Sequence, residues 1–309
     1  MLKSMAGIYN ILATPFHDDR SLDEAGLRQL VAFQMALGAH GLTILGVLGE
    51  AAKLSVPERA RVLEIVMAVV DGSIPIVVGT SHPDQATCIE LSQQAFAAGA
   101  QGVMIAPPRL TNPTDAIIFD YYKTIASEID GVIVVQDFPP INGVIMSAEL
   151  IGRITADIPQ AKCLKLEDPP LMEKISAIRQ YSDDMLIFGG LGGMFLLEEL
   201  GRGASGTMTG FAFTEILVAI YQAFGAGQVD VATRIFDHYL PLIRFENQPV
   251  INLTIRKALL HRRGAMPHPH LREPYAPIDA GTQSEMDSVL RRVGIDDPTQ
   301  KITFDNFYA

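Results

Sequence analysis

The chain has 309 residues, of which 48% are hydrophobic, so it can bury a large core as one α/β barrel with an appendage or as two domains. Its formal net charge is −11, and its 24 lysine and arginine residues form no basic run. An acidic chain without a basic patch is poorly suited to bind nucleic acid.

Cysteine usage and hydropathy indicate the compartment. Cys88 and Cys163 both lie in apolar periodic segments, which favours neither a disulfide framework nor a zinc site and fits a reducing environment. No apolar run approaches the roughly 20 residues of a membrane span. Residues 1–7 also lack the hydrophobic core of a signal peptide. We therefore expect a cytoplasmic protein that makes no membrane contact.

From Ile8 onward, short β-branched runs alternate with longer helical patterns, which is typical of repeated βα units. The eight strand-like runs are residues 8–13, 41–46, 74–79, 102–106, 132–136, 163–165, 185–188 and 204–208. The helical patterns include residues 23–37, 57–70, 85–98, 114–129 and 214–224. This order predicts a (β/α)8 TIM barrel over residues 1–227, with its chemistry in the loops at the carboxyl ends of the strands.

Two early loops could bind a small anion. Gly46 and Gly49 flank a tight turn after the second predicted strand, with Val47 and Leu48 between them. The N–H groups of such a turn can hold a carboxylate or a phosphate. Thr14 lies in the loop after the first strand. Each loop is unspecific by itself, because Gly-x-x-Gly occurs at many tight turns.

The loop after the fifth strand carries an amide and a carboxylate. Gln136 and Asp137 precede Pro139 and Pro140, which stiffen the chain. Asp137 has two interpretations at this stage. It either takes part in function at the rim of the barrel or caps the following turn.

The sixth strand-like run ends on Lys165, one of only eight lysines in the chain. A cation at the carboxyl end of a strand buried on both faces is unusual. A desolvated amine is more readily neutral, and a neutral amine can condense with a ketone. The alternative is a strand-end lysine that extends to solvent or pairs with Glu167.

After Gly227, helical patterns over residues 229–244, 249–262 and 282–293 follow without intervening strands. They predict a three-helix extension over residues 228–309. Between the last two helices, the Pro-rich residues 266–277 include His268 and His270. We interpret these histidines as exposed loop residues with no metal, because a metal site needs further ligands from a fixed scaffold.

Several of these segments resemble a known family. Residues 14–16, 46–50 and 139–143, together with Lys165 at the end of strand six, are similar to the class I lyases related to dihydrodipicolinate synthase and N-acetylneuraminate lyase. The resemblance covers essentially the whole chain. It implies a (β/α)8 barrel with three extra helices, a homotetramer, and an imine between Lys165 and a 2-keto acid. It implies no metal and no organic cofactor.

The sequence also departs from the best-known members of that family. Val47 and Leu48 stand where the glycine loop usually has hydroxyl residues, and Gln136 replaces the strand-five tyrosine. The tyrosine expected after the fourth strand is replaced within residues 108–113, and Ile141 aligns with the arginine that binds the aldehyde substrate's carboxylate. These departures argue against a lysine-biosynthesis synthase.

Within the family, residues 136–139, 165–167, 203–209 and 240–247 resemble the branch that contains L-2-keto-3-deoxyarabonate dehydratase. That branch removes water from a sugar-derived keto acid. The substrate contacts implied by the resemblance are Thr14, Gly46, Val47, Leu48, Gly49 and Gly206. The resemblance implies Lys165 as a catalytic residue, and the positions of Glu167, Gln136 and Asp137 in the sequence make them further candidates.

The resulting hypothesis is dehydration of a 2-keto-3-deoxy acid through a Lys165 imine. Gln136 does not titrate, so Glu167 is the predicted base, with Asp137 in reserve. A retro-aldolase or a synthase would share the first intermediate. A non-catalytic barrel that binds keto acids is the alternative from another class.

Overall fold

The computed structural model describes residues 5–308 and contains a closed barrel of eight parallel strands, each paired with the next in chain order. The strands are β1 (Gly7–Ile11), β2 (Gly41–Ile44), β3 (Ile76–Gly79), β4 (Gly102–Ile105), β5 (Val132–Asp137), β6 (Cys163–Leu166), β7 (Leu186–Gly189) and β8 (Gly206–Thr209). Strand β8 pairs with β1 and closes the barrel. The predicted (β/α)8 fold is confirmed.

Helices alternate with the strands and cover the barrel. They are α1 (Glu24–Ala36), α2 (Val56–Val70), α3 (Gln85–Ala97), α4 (Asp115–Ser127), α5 (Pro139–Asn142), α6 (Ala148–Asp157), α7 (Leu171–Arg179), α8 (Leu196–Gly201) and α9 (Thr214–Gly225). The extension adds α10 (Val229–Glu246), α11 (Asn252–Arg262) and α12 (Ala280–Arg292), and α10 packs along α9. Within residues 5–308, no helix is both long and apolar enough to cross a membrane.

Polar side chains fix where several helices begin. The Ser55 hydroxyl accepts a hydrogen bond from the Glu58 N–H, while the Glu58 carboxylate accepts one from the Ser55 N–H, which forms a capping box at α2. Asp23, Asp84 and Thr114 cap α1, α3 and α4 in the simpler one-bond form. Each cap satisfies an N–H group that the first helical turn leaves without a partner.

Large apolar side chains fill the interior of the barrel. The cluster comprises Met5, Tyr9, Ile11, Val77, Met104, Val134, Cys163, Phe188 and Met208. The Tyr9 and Phe188 rings meet edge to face at 5.5 Å. Because this interior is packed, it forms a floor and not a pore, and a ligand site has to lie above it at the strand ends.

Some element ends differ from the predicted ones for a backbone reason. Strand β2 ends at Ile44, two residues before the predicted end, because Leu45 adopts a φ of 56° that takes the chain out of the sheet. Helix α11 begins at Asn252 and not at residue 249, and it follows Val250, whose φ is 74°. Left-handed conformations at non-glycine residues are not visible in a hydrophobic pattern.

Buried ion pairs join the extension to the barrel. Arg263 donates to both carboxylate oxygens of Glu215 in α9, at 2.5 and 3.0 Å. Arg256 donates to Glu246 at 2.6 Å, and the Glu246 carboxylate also accepts from the Ala212 N–H. The barrel and the extension share these buried contacts. The predicted division of the chain into two domains at residue 227 therefore stays a prediction.

Candidate active site

A cavity of about 810 Å³ lies at the carboxyl ends of the strands. Its barrel wall includes Gly46, Val47, Leu48, Gln136, Lys165, Glu167 and Thr209. The opposite wall comes from the extension and includes Asn247, Asn252, Thr254, Leu271 and Tyr275. The cavity therefore depends on both parts of the chain.

Lys165 projects into this cavity from β6. Side chains alternate along the strand, so Cys163 and Lys165 face the barrel axis while Leu164 packs against the helices. Lys165 pairs in register with Gln136 on β5, which brings both side chains to the same level. Lys165 is only 4% exposed, so its amine is largely withdrawn from bulk water.

Glu167 completes a compact group of three side chains. Its Oε2 lies 2.7 Å from the Lys165 Nζ and accepts a hydrogen bond from the Gln136 Nε2 at 3.2 Å. Glu167 is 7% exposed and lies beside Gly190, where an added Cβ would come within 2.6 Å of the Glu167 side chain. Gly190 therefore leaves the space that the carboxylate occupies.

Asp137, the reserve candidate for the base, does not belong to this group and does not line the cavity. It follows Gln136 directly, so strand alternation turns it to the outer face of the barrel. There Lys174 donates to the Asp137 Oδ2 at 2.5 Å and to Asp168 at 2.7 Å. Burial raises the pKa of Asp137 to about 6, an effect that Lys174 opposes. Asp137 thus lies at the carboxyl end of β5 but outside the cavity wall, and its predicted catalytic role stays a prediction.

The glycine loop forms a single 3-10 turn at Val47–Gly49. Its Gly49 N–H donates to the Gly46 carbonyl at 3.1 Å. In residues 5–308, the N–H groups of Val47 and Leu48 have no hydrogen-bond partner. These two groups lie at the cavity wall and are free to bind an anion.

Thr14 stabilises this loop from outside the cavity wall. Its hydroxyl donates to the Gly49 carbonyl at 2.6 Å, and Thr14 is buried outside the cavity wall. A Cβ at Gly49 would lie 3.1 Å from the Leu12 carbonyl oxygen, so the loop and the end of β1 are in close contact. Thr14 and Gly49 thus shape the loop, whereas Val47 and Leu48 face the space where a ligand would bind.

Gly206 lies outside the cavity, which corrects its assignment as a substrate contact. It is the first residue of β8, whereas Met208 and Thr209 further along the strand reach the cavity wall. A Cβ on Gly206 would lie 1.9 Å from the Gly7 carbonyl oxygen, and its φ is 144°. Close packing between β8 and β1 requires glycine at this position.

Sequence reasoning missed Glu50, which anchors the glycine loop. Its carboxylate accepts hydrogen bonds from the Lys257 Nζ at 2.6 Å, the Lys53 Nζ at 3.1 Å and the Arg272 N–H at 3.0 Å. Burial lowers the pKa of Lys257 to about 8, although the Glu50 charge opposes that shift. The one visible signal was an acid directly after the glycine turn. Two of its partners, Lys257 and Arg272, lie more than 200 residues away.

A second missed carboxyl group lies behind β7. Glu199 is 1% exposed, and its Oε2 has no hydrogen-bond partner within residues 5–308. Burial, with smaller contributions from the charges of Glu198 and Glu167, raises the pKa of Glu199 to about 8. An added Cβ at Gly189 would come within 1.8 Å of Glu199. Gly189, the last residue of β7, thus leaves space for Glu199 on the outer face, and Gly190, which follows it, leaves space for Glu167 on the inner face.

Comparison with known proteins places the whole chain in one group of relatives. The Dihydrodipicolinate synthetase family matches residues 4–293. The chain is 30% identical to the L-2-keto-3-deoxyarabonate dehydratase of Azospirillum brasilense over 93% of its length and 94% of the relative. It is also 30% identical to a 4-hydroxy-tetrahydrodipicolinate synthase of Rhizobium meliloti, over 94% of its length and 98% of that relative.

A solved structure agrees with these relatives. The crystal structure of dihydrodipicolinate synthase from Rhodopseudomonas palustris superposes with a TM-score of 0.90 and 36% identity. The superposition covers 94% of this chain and 99% of the other. The similarity therefore includes the extension as well as the barrel.

Proposed function

The chain belongs to the dihydrodipicolinate synthetase family, and we propose that it is a Schiff-base lyase that removes water from a 2-keto-3-deoxy sugar acid. The observation that supports this proposal is the buried pair of Lys165 and Glu167, 2.7 Å apart, on the wall of the cavity. An amine and a carboxylate in contact are the two groups that imine formation and proton abstraction require.

In the first step the neutral Lys165 amine attacks the C2 ketone of the substrate. Glu167 accepts the proton that the ammonium group loses, because its Oε2 is the hydrogen-bond partner of the Nζ. It returns this proton to the former ketone oxygen, a second proton follows from the nitrogen by the same route, and the oxygen leaves as water. An iminium ion on Lys165 and an ionised Glu167 remain. The free N–H groups of Val47 and Leu48 bind the substrate carboxylate without any hydroxyl side chain.

In the second step the iminium acidifies the C3–H bond. Glu167 removes this proton, the electron pair forms an enamine, and the enamine expels the C4 hydroxyl group. The same carboxyl group returns its proton to the departing oxygen, so that water leaves. Gln136, held beside Glu167, donates a hydrogen bond and cannot itself act as the base.

The product distinguishes this reaction from its nearest rival. We expect purified protein to convert a 2-keto-3-deoxy pentonate to a 2-oxo semialdehyde, followed with an aldehyde dehydrogenase coupled to NAD⁺ reduction. A retro-aldolase would instead cleave C3–C4 and release pyruvate, which lactate dehydrogenase detects. Pyruvate as the sole product would contradict the dehydratase proposal and leave the imine intact.

A synthase is the other enzyme candidate, and it is favoured by the names of several relatives. Against it, Ile141 stands at the position where the family resemblance implies an arginine for the second substrate, and it is 38% exposed at the cavity wall. Incubation with pyruvate and aspartate semialdehyde tests this directly. Condensation faster than dehydration would favour the synthase.

A barrel that binds keto acids without turnover is the candidate from another class. Borohydride reduction in the presence of a panel of 2-keto acids separates it from all three enzymes, because only an imine becomes a stable adduct on Lys165. Absence of any adduct, measured by mass spectrometry, would favour the binding protein.

We also propose a homotetramer in the cytoplasm. This rests on the family to which the chain belongs. Size-exclusion chromatography with light scattering measures the assembly, and a monomer as the sole species would contradict it.

A further inference from the structure

Two segments that lie far apart in sequence meet outside the cavity and bring together metal-binding side chains. Asp18 lies in the loop between β1 and α1, and His268 and His270 lie in residues 266–277 of the extension. The ligand atoms of these three residues all lie within 4.8 Å of one another. The sequence predicted no metal here because it showed only two histidines, whereas the fold supplies a third donor.

The separations suit one small ion. The Asp18 Oδ1 lies 2.7 Å from the His270 Nε2 and 3.6 Å from the His268 Nδ1. Tetrahedral zinc with ligand bonds of about 2.0–2.1 Å keeps its donors about 3.3 Å apart, which falls between the two observed distances. The two imidazole rings are nearly parallel, at 11°, with centroids 5.4 Å apart.

Both segments are held by hydrogen bonds that do not involve the three donors' side chains. The His270 carbonyl accepts from the buried Lys257 Nζ at 2.7 Å, and two residues later the Arg272 N–H donates to Glu50. On the other segment, the His17 N–H donates to the Ser21 carbonyl at 3.0 Å and closes the turn that carries Asp18. A metal ion would therefore meet a scaffold whose backbone is already fixed.

We propose that Asp18, His268 and His270 form a binding site for one divalent transition-metal ion of the zinc class. Two imidazole nitrogens and one carboxylate oxygen favour a borderline ion such as Zn²⁺ over Mg²⁺ or Ca²⁺, which prefer oxygen ligands alone. The donors are partly exposed, so water completes the coordination shell. The site is distinct from the Lys165 cavity and takes no part in imine chemistry.

The bound ion links residues 266–277 to the barrel, because Asp18 belongs to a barrel loop and the two histidines belong to this segment. Leu271, next to His270, lines the cavity, and so does Tyr275 in the same segment. A ligand that binds the native chain and not the unfolded one stabilises the native chain by an amount that grows with the logarithm of ligand concentration over Kd, and so raises the melting temperature. The metal therefore stabilises the wall of the cavity, and its effect is measurable without any substrate.

Titration of tag-free, chelator-treated protein with ZnCl₂ tests the site. We expect one equivalent to bind with a Kd below about 100 µM by calorimetry and the melting temperature to rise with Zn²⁺. Co²⁺ titration should give visible absorption bands of a low-coordinate ion. A Kd weaker than about 100 µM for both ions would overturn the proposal.

Variants locate the bound ion. His268→Ala, His270→Ala and Asp18→Asn should each weaken Zn²⁺ binding at least about tenfold while the metal-free melting temperature changes little, because the three side chains are exposed or partly exposed. His238→Asn is the matched control, since His238 is exposed on α10 and bonds only to the Val293 carbonyl. Unchanged binding in the triple variant Asp18→Asn, His268→Ala, His270→Ala would also overturn the proposal.

Discussion

Lys165 is the residue on which the proposed chemistry depends. It has one carboxylate partner, Glu167, and the rest of its surroundings is the cavity and the apolar barrel floor. An amine in this position faces the cavity and has a partner beside it that can take its proton.

We expect Lys165→Ala and Lys165→Arg to reduce turnover to background. Alanine removes the nucleophile, and a guanidinium stays protonated and forms no imine. Borohydride trapping and product assay measure both effects, and circular dichroism checks the fold. The matched control is Lys162→Ala, whose amine bonds to the Thr155 carbonyl outside the cavity and should leave the adduct intact. An adduct in the Lys165→Arg protein would contradict the assignment.

Glu167→Gln separates a catalytic base from a charge that only partners Lys165. If Glu167 removes the C3 proton, trapping should persist while dehydration falls by about 10²–10⁴-fold, as for loss of a positioned general base. Single-turnover assays and trapping across pH 6 to 9, roughly the working range of such groups, measure the two steps. Glu173→Gln, an exposed glutamate on α7, is the control. Trapping and turnover at the parent level would show that Glu167 has neither role.

Glu199 predicts a pH dependence of stability. Burial raises its pKa from 4.5 to about 8, so between these values the native chain keeps a proton that the unfolded chain has released. The free energy of unfolding therefore falls as pH rises through this window, by an amount on the order of a few kcal/mol. Glu199→Gln cannot ionise and should flatten the fall.

Melting temperatures of parent and Glu199→Gln test this at roughly pH 5, near the lower end of that window, and roughly pH 8.5, above its upper end. A new amide without partners would cost the same at both pH values, so only the difference between them is diagnostic. Glu173→Gln, exposed on α7 and not among the charges that shift the pKa of Glu199, should keep the parental pH dependence. An equal dependence in all three proteins would contradict a neutral Glu199.

Single-residue positions were predictable where strand alternation applies. Lys165 and Glu167 are two apart and share the inner face, as alternation requires. The same rule places Asp137 on the outer face, next to an inward Gln136, yet the sequence interpretation gave both residues to the site. Glu199 could not be found in this way, because its burial depends on the glycines of another element.

At the scale of elements, the glycine loop owes its shape to a distant anchor. Glu50 follows the Val47–Gly49 turn in a left-handed conformation and receives hydrogen bonds from the extension. The turn thus presents its free N–H groups only while residues 257 and 272 stay in place. Loop and extension act as one unit.

Glu50→Gln should therefore affect both stability and substrate binding. Lys257 would lose its charged partner while buried, a change that typically costs about 3–5 kcal/mol. We expect a lower melting temperature and a KM for the keto acid that rises more than kcat falls, because the loop binds the carboxylate and does not touch C3. Glu64→Gln, which breaks an exposed pair with Arg61, should leave the melting temperature nearly unchanged. A KM at the parent level would separate the loop from substrate binding.

The order and type of the barrel elements were predictable, whereas several of their ends were not. Apolar runs of β-branched residues gave all eight strands, because these strands are buried on both faces. Gly46 and Gly206 were both predicted as substrate contacts because of the sequence motifs in which they lie. The first lies beyond the end of β2 and the second at the beginning of β8, so only the first reaches the cavity.

On the scale of the whole molecule, the extension is part of the site. Predicted as an appendage, it contributes Asn247, Asn252, Thr254 and Tyr275 to the cavity wall. Asn247 also donates to the Leu191 carbonyl at 2.9 Å, which ties α10 to the loop after β7. Periodicity locates helices but does not show which surface they cover, so this wall was not visible in the sequence.

Arg263 tests whether barrel and extension unfold as one unit. It is buried at the end of α11, its guanidinium lies 4.2 Å above the Phe213 ring, and it forms two hydrogen bonds with Glu215 of α9. Removing one partner of a buried pair leaves an uncompensated charge and costs about 3–5 kcal/mol. We expect Arg263→Ala to lower the melting temperature of a single transition, because the pair belongs to both parts.

The double variant Arg263→Met, Glu215→Leu should recover most of that loss, since replacing both charges removes the unpaired carboxylate. Calorimetry and circular dichroism measure the transition, and borohydride trapping on Lys165 follows the site in parallel. Arg262→Ala is the control, because Arg262 is the neighbouring residue and pairs with an exposed Asp287. If the extension melted in a separate, earlier transition while trapping on Lys165 persisted, the barrel would hold the site alone. Because residues within 247–276 form one wall of the cavity, we expect the opposite result. Trapping on Lys165 should disappear in the same transition in which the extension unfolds.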